Sequence, residues 1–287
     1  MSSPVLLLTG SADRMPVPDP ESELLIDALA ERGVGAKLAE WDTPTDWAAS
    51  PLVVVRTPWD YVERPARFLE TLHAIAAVTT LVNPPSLVAW NHHKSYLGEL
   101  ERAGVPVVPL ALVRRGATAD EQAAALAAFG EEIVVKPAIS AGARGTIRTR
   151  AGSREAREHL DELVREGDAI TQPYLSAVEA GELALMFFGG KLSHAVRKVP
   201  ADGDFRVHEA YGGSVRPHAP TAAEVAVGLA VLAAAPAAAT YARIDLVTTA
   251  AGPLLMEAEL IEPELFLRHD PAAASRFAGV LVDAMAG

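Results

Sequence analysis

The sequence contains no cysteine, which excludes disulfides, thiolate nucleophiles and thiolate metal sites together. Aromatic residues make up only 6% of it, too few to line a long peptide groove. Basic residues are in the minority, 25 against 37 acidic ones, for a formal charge of −12. Such a chain has no broad basic face to neutralise a phosphate backbone, so nucleic acid is excluded as a partner. A small anion held by a few local cations is not. Apolar runs are short: none approaches the roughly 20 residues of a membrane-spanning helix, and the run at 5–8 lacks the basic flank of a signal peptide. No HExxH, GxSxG, GxxxxGK(S/T) or GxGxxG pattern occurs, which sets aside zinc hydrolysis, the serine-hydrolase elbow, the P-loop and the dinucleotide fingerprint. At 287 residues the chain exceeds a single core, and a cytoplasmic protein of two or three lobes with no membrane partner is expected. A homo-oligomer is compatible with the sequence.

What is present begins with alternation. Residues 5–8 read as a strand, 21–32 as a helix stopped by Gly33, 52–55 as a buried strand and 65–77 as a helix opened by Pro65. Strands and helices alternating in this way predict an α/β amino-terminal domain with a parallel sheet. Its functional loops should lie beyond the carboxyl ends of the strands, at Thr9-Gly10-Ser11 and Arg56-Thr57-Pro58-Trp59-Asp60. From Leu81 the texture changes. Helices are expected at 91–103, 118–129, 154–165 and 221–235, with a last one from Pro271. Strands are expected at 107–113, in EIVVKP, in AITQPYL and in LALMFF; this last returns through Gly189-Gly190 to Val199. A second hairpin spans 241–261. The predicted organisation is a domain over 1–88 followed by an α+β body over 89–287. The body has two lobes with antiparallel hairpins, the smaller over about 105–175.

Three places carry candidate chemistry. In YARIDLVTTAAGPLLMEAELIEPELF, Arg243 and Asp245 share one strand face, and Glu257 and Glu259 share the facing one. A turn centred near Ala251 puts Asp245 opposite Glu257. Facing carboxylates repel, so they either share cations, with oxygen-only ligands suited to Mg²⁺, or form a solvated acidic edge. Next, Lys136 ends a β-branched strand ahead of a loop with Gly142 and Gly145. That loop is either a phosphate cradle or an ordinary flexible turn. Further cations lie at Lys94, Arg197-Lys198 and Arg206. The adjacent His92 and His93 would diverge on a helix and do not read as a metal pair. Arg56, at a strand end, suits a substrate's charged end or a surface salt bridge.

The order of these segments resembles the ATP-grasp superfamily, in its glutathione synthetase-like branch. The resemblance rests on Arg56, Pro58, Asp60 and Tyr61; on NPPSLVAWNHHKSYL with Lys94; on Lys136-Pro137 with Gly142 and Gly145; on QPYL; and on Asp245 with Glu257. It implies α+β ATP-grasp lobes that hold ATP between them. Adenine would sit at 172–175 (Gln172, Tyr174, Leu175), and the ribose at Glu182. The phosphates would meet Lys94, Lys136 and the glycine loop. Two Mg²⁺ ions would be held by Asp245, Glu257 and Glu259, with Arg206 and Arg243 as catalytic cations. Arg56 and Asp60 would face a small amino acid-like carboxylate substrate. Glu259 departs from the family's usual Asn and adds one charge. The phrases RTPWDY, NHHKSYL, GDFRVH and EAELIEPELF are most similar to the ATP-grasp cyclo-ligases of cycloserine biosynthesis. This places the chain in antibiotic biosynthesis, with ring closure of O-ureido-serine as the implied reaction. An intermolecular amino acid or peptide ligase, and a non-catalytic nucleotide-binding regulator, are the alternatives.

Overall fold

All six residues of the strand Leu52–Thr57 are buried, as expected of a strand covered on both faces. A computed structural model of the chain describes residues 3–15, 19–140, 142, 144–201 and 212–286. Its first third runs β1 (Val5–Thr9), α1 (Ser22–Ala30), β2 (Ala36–Glu40), β3 (Leu52–Thr57), α2 (Pro65–Ala76) and β4 (Thr80–Val82). The four strands form a parallel sheet in the order β2-β1-β3-β4. Leu25 and Leu29 of α1 pack on one face, and Phe68, Leu72 and Ile75 of α2 on the other. Strands β2 and β4 have no long apolar run, which is why sequence periodicity passes over them.

Two short helices follow, α3 (Pro85–Asn91) and α4 (Tyr96–Arg102). The sequence predicts one helix over 91–103. The break at 92–95 arises because the Lys94 amide donates to the Ala138 carbonyl at 2.8 Å and leaves the helical ladder. Beyond it, β5 (Ala111–Val113), α5 (Ala119–Ala127), β6 (Glu132–Pro137), β7 (Ile147–Arg150), α6 (Arg154–Glu166) and β8 (Ala169–Pro173) build the smaller lobe. Its antiparallel sheet has the order β5-β8-β6-β7. Ile133 and Val135 pack there against Leu126, Leu160 and Val164 of the two helices. Thr118 closes a capping box at α5, and Ser153 caps α6. The strand expected at 107–113 is confined to 111–113, and Val107 instead bridges to Leu255.

The rest comprises β9 (Glu182–Phe188), β10 (Lys191–Val199), β11 (Ser214–Pro217), α7 (Ala222–Ala234), β12 (Tyr241–Thr249), β13 (Gly252–Glu259) and α8 (Ala273–Ala286). The five strands form one antiparallel sheet, ordered β11-β10-β9-β12-β13. Strand alternation sends Leu183, Leu185, Phe187, Ala242, Ile244 and Leu246 to one face, under Val227 and Val231 of α7. The opposite face starts apolar. Met186, Phe188 and Tyr241 join the amino-terminal core through Phe277 of α8. One strand position further along, the same face becomes charged. The free edge of β13 is covered: Asn91 and Tyr96 bond the backbone of Ala258 and Leu260, and Val108 bonds that of Leu255. No helix among the described residues is long and apolar enough to cross a membrane.

Candidate active site

The charged strip owes its composition to two β-bulges. The β12–β13 turn pairs Thr249 with Gly252, a register that alone would put Met256 opposite Asp245. A bulge between Asp245 and Leu246 shifts the pairing, so Asp245 faces Glu257 and Arg243 faces Glu259. Between β9 and β10 the Gly189-Gly190 turn pairs Phe188 with Lys191. A bulge between Leu192 and His194 then brings Lys198, rather than Arg197, opposite Glu182. Each bulge re-aims a charged side chain by one residue.

The result is an alternation of charge. Arg243 donates to both oxygens of Asp245 at 2.9–3.2 Å and also to Glu259. Lys198 lies 3.1 Å from Asp245 and contacts Glu182. Lys94 meets Glu257 at 2.7 Å. Asp245 is 3% exposed while Glu257 and Glu259 are half-buried, so the strip is anchored in the interior and each of its carboxylates meets a cation. Burial works to raise the carboxyls, but Arg243 and Lys198 hold Asp245 below its usual range, and Lys94 and Lys136 do the same for Glu257. Glu259 is pushed up to about 7 by burial and by its neighbours Asp245 and Glu257, against the pull of Arg243. By donor chemistry, three carboxylates on one face fit a hard divalent cation. They do not surround a common point among the described residues, because each is turned to a side-chain cation.

Lys94 and Lys136 converge from different elements. The Lys94 ammonium reaches the Ser140 carbonyl at 3.2 Å, at the root of the glycine loop. Lys136 is buried, and desolvation lowers its pKa although Glu257 opposes this. Gly142 and Gly145 have φ of 62° and 71°, and a Cβ at Gly145 would sit 2.9 Å from the Pro137 ring. Glycine is therefore required at the loop's close approach to Pro137. At the end of β8, Gln172 is buried and reaches the Val108 carbonyl at 3.5 Å. Tyr174 donates its amide to Glu132, and its ring is covered by Arg148 at 3.6 Å. Leu175 packs beside Val108, Val178 and Val247. Glu182 is occupied by Lys198, and burial raises its pKa despite that partner.

On the amino-terminal side, Arg56 is 1% exposed, which removes the surface salt bridge as its explanation. It donates to the Pro263 carbonyl at 3.2 Å, while its Nε has no partner. Asp60 accepts from Trp41 at 2.8 Å and Arg14 at 3.1 Å, so it belongs to a buried polar cluster. The loop after β3 instead reaches the turn beyond β13 through Trp59, whose indole donates to the Glu262 carbonyl at 2.9 Å. Tyr61 is buried, and burial together with the nearby charges of Glu262 and Glu259 raises the pKa of its hydroxyl. Lys198 was visible as a cation in sequence but carried no signal of its role; Glu262 gave none. Arg206 lies outside the described residues.

Residues 5–83 match the family model for the amino-terminal domain of D-cycloserine synthetase DcsG, and residues 107–246 that for the prokaryotic glutathione synthetase ATP-grasp domain. The cycloserine biosynthesis protein DcsG of Streptomyces lavendulae is 35% identical over 97% of this chain and 98% of its own. A crystal structure of D-cycloserine synthetase DcsG superposes with a TM-score of 0.87 at 31% identity, covering 98% of this chain and 99% of the other. D-alanine–D-alanine ligase from Bacillus anthracis shares the fold, with a TM-score of 0.69 at 13% identity over 99% and 97% of the two chains.

Proposed function

This chain belongs to the ATP-grasp ligases and is an ATP-dependent ligase; from that premise we propose that it closes an O-ureido-serine-like amino acid on itself to a cycloserine-type ring. The observation that carries this reading is the end-to-end similarity to the cycloserine protein, which includes the amino-terminal domain as well as the ATP-grasp body. The amino-terminal loop is fastened to the turn at 262–263 through Arg56 and Trp59, which joins the amino-terminal domain to the charged strip.

The residues have separate tasks. Lys94, Lys136 and the loop bearing Gly142 and Gly145 hold the phosphates, while Gln172, Tyr174 and Leu175 border the adenine and Glu182 the ribose. Asp245, Glu257 and Glu259 are the residues that would hold Mg²⁺, two ions in all. Bound there, Mg²⁺ neutralises phosphate charge and aligns the phosphate for transfer. Lys94, now on Glu257, and Arg243, now on Glu259, are the cations that would serve the phosphate and the carboxylate being activated. A substrate carboxylate oxygen attacks the γ-phosphorus and ADP departs, with Arg243 and Arg206 countering the charge in flight. The substrate's own nitrogen then attacks the acyl carbon, loses its proton and expels phosphate. Proximity within one molecule replaces the binding of a second substrate.

Incubation with O-ureido-serine, ATP and Mg²⁺ tests this by product mass. One ADP per molecule of ring-closed product is expected. ADP formation with pairs of amino acids, but none with O-ureido-serine, would leave an intermolecular ligase in its place.

A further inference from the structure

The segment NHHKSYL touches both walls of the site. Asn91 and Tyr96 fasten β13, while His93 and Lys94, which lie between them, turn to the smaller lobe. The Lys94 amide donates to the Ala138 carbonyl at 2.8 Å, and the Ala138 amide donates to the Asp168 carbonyl at 2.9 Å. Ala138 is two residues beyond Lys136, so these bonds set the two lysines against each other. A second link runs through side chains. The Ser95 amide donates to His93 Nδ1 at 3.2 Å. A ring nitrogen that accepts carries no hydrogen, so the hydrogen of this neutral imidazole stands on Nε2. Nε2 faces Asp168 Oδ2 at 3.4 Å. That carboxylate is itself fixed: Oδ1 accepts from the Arg115 amide at 2.8 Å and Oδ2 from Arg114 at 2.7 Å. His92 takes no part, being turned to the Ala89 carbonyl of its own helix. Asp168 thus grips the Lys94 turn twice, through the backbone of Ala138 and through the ring of His93.

We propose that Asp168 is a positioning residue for nucleotide binding: by holding His93 it fixes Lys94 beside Lys136, so that both ammonium groups meet the phosphates together. The inference rests on the assignment of those two lysines to the phosphates in the proposed function. Both are buried, but they come from separate cores. Lys94 stands in the break between α3 and α4, which pack with β9, β12 and β13, whereas Lys136 belongs to β6 in the smaller lobe. Their relative placement therefore depends on contacts that cross from one core to the other. The Lys94 turn supplies such contacts at Ala138, Ser140 and Asp168. Two ammonium groups brought to one anion repel each other, so their approach needs a frame that is set before the nucleotide arrives. A frame built from bonds already made costs little ordering on binding.

Calorimetry with Mg²⁺ and a non-hydrolysable ATP analogue tests the assignment, with adenosine, which carries no phosphate, measured in competition. In Asp168→Asn the Arg115 amide keeps an acceptor, but the new side-chain NH₂ meets two donors, Arg114 and His93 Nε2. His93→Asn keeps a polar group near Nδ1 and loses Nε2. Each should weaken binding of the analogue by about 2- to 10-fold, the range of one hydrogen bond, and leave adenosine unchanged. The double variant should lose no more than the larger single one, because both changes cut the same link. His93→Gln, whose amide nitrogen can stand at the Nε2 position, should recover most of the affinity. Unchanged analogue binding in both single variants overturns the proposal, as does an equal loss for adenosine or single losses that multiply in the double variant. Lys94→Met separates this from its premise. A loss there without one in Asp168→Asn or His93→Asn leaves the nucleotide site standing and removes Asp168 from it. Wild-type affinity in Lys94→Met means that Lys94 holds no phosphate, and the assignment falls together with the inference built on it.

Discussion

At the scale of single residues, Lys94, Lys198 and Arg243 are each paired with carboxylates of the strip, and substitutions should report which pairing matters. Glu257 meets Lys94 at 2.7 Å and is assigned to both ions. Glu257→Gln should therefore lower ADP formation on the order of 10²-fold or more while circular dichroism stays native. Glu259→Asn should be milder, because it keeps an oxygen ligand and relieves the crowding that raises Glu259 to about 7. Equal losses in the two would show that the extra charge is required. Glu262 makes a further prediction, in stability. Its carboxyl rises from the usual 4.5 to about 8. Between those values the folded state keeps a proton that the unfolded chain has lost. Stability is then fully present below about pH 4.5 and falls as pH rises toward 8, by at most about 1.4 kcal/mol per unit. Removing the titrating group should raise the melting temperature of the unliganded protein at pH 9 by a few degrees, and leave it unchanged at pH 4. The same gain at both pH values would refute a titration origin.

At the scale of elements, much of what reads as a functional motif is a fastening for β13. In NPPSLVAWNHHKSYL, Asn83 donates to the Tyr241 and Leu260 carbonyls at 2.9 and 2.7 Å. Asn91 exchanges bonds with Ala258 and Leu260 at 2.8 and 2.9 Å, and the Tyr96 hydroxyl both donates to and accepts from Ala258. Only Lys94 of that segment reaches the charged strip. Tyr96→Phe leaves the buried Ala258 N–H unpaired, while the Ala258 carbonyl keeps Asn91, and should cost about 1–3 kcal/mol. Urea unfolding should show this as a lower midpoint with an unchanged m-value. A fully stable Tyr96→Phe with impaired nucleotide binding would reverse the reading and make the tyrosine part of the site. The elements themselves were largely legible from periodicity: α2, α6, α7 and the two hairpins fall where apolar spacing and the Gly-Gly turn put them. The short strands β2, β4, β7 and β11 were not, since three to five residues carry too little pattern to stand out. The break between α3 and α4 was hidden as well, because its cause is a carbonyl 44 residues downstream, that of Ala138.

At the scale of the whole molecule, the site lies where a single sheet face passes from apolar to charged, between the amino-terminal core and the smaller lobe. On the proposed assignment, nucleotide and metal would displace existing ion pairs there, so their binding should be linked. The non-hydrolysable ATP analogue with Mg²⁺, at about a hundred times its Kd, should stabilise the fold by about 2.7 kcal/mol, seen as a rise of several degrees in Tm. Mg²⁺ alone should give little, since Lys94 and Arg243 already neutralise the carboxylates it would join. A full shift with Mg²⁺ alone would mean that the ion pairs do not compete with it.

The sequence by itself determined the class of chemistry: residue types, their order along the chain and the alternation of a strand were enough for Arg243, Asp245, Glu257 and Glu259 to share one surface. It also argued against thiol, zinc-protease and nucleic-acid functions, whereas the need for glycine at Gly145, beside Pro137, came from the structure. Which charges meet was decided only by tertiary structure. The turn near Ala251 read from the sequence pairs Asp245 with Glu257, as observed; the actual Thr249–Gly252 turn would by itself put Met256 opposite Asp245, and the Gly189-Gly190 turn Arg197 opposite Glu182. The two bulges correct both pairings. A bulge inserts one residue into one strand, and because side chains alternate with a period of two, that insertion exchanges the faces of everything beyond it. The carboxylate that Lys94 meets and the carbonyls that Trp59 and Arg56 meet lie between 163 and 207 residues away in sequence. No local pattern encodes such distances; they follow from packing the parallel sheet against the antiparallel one.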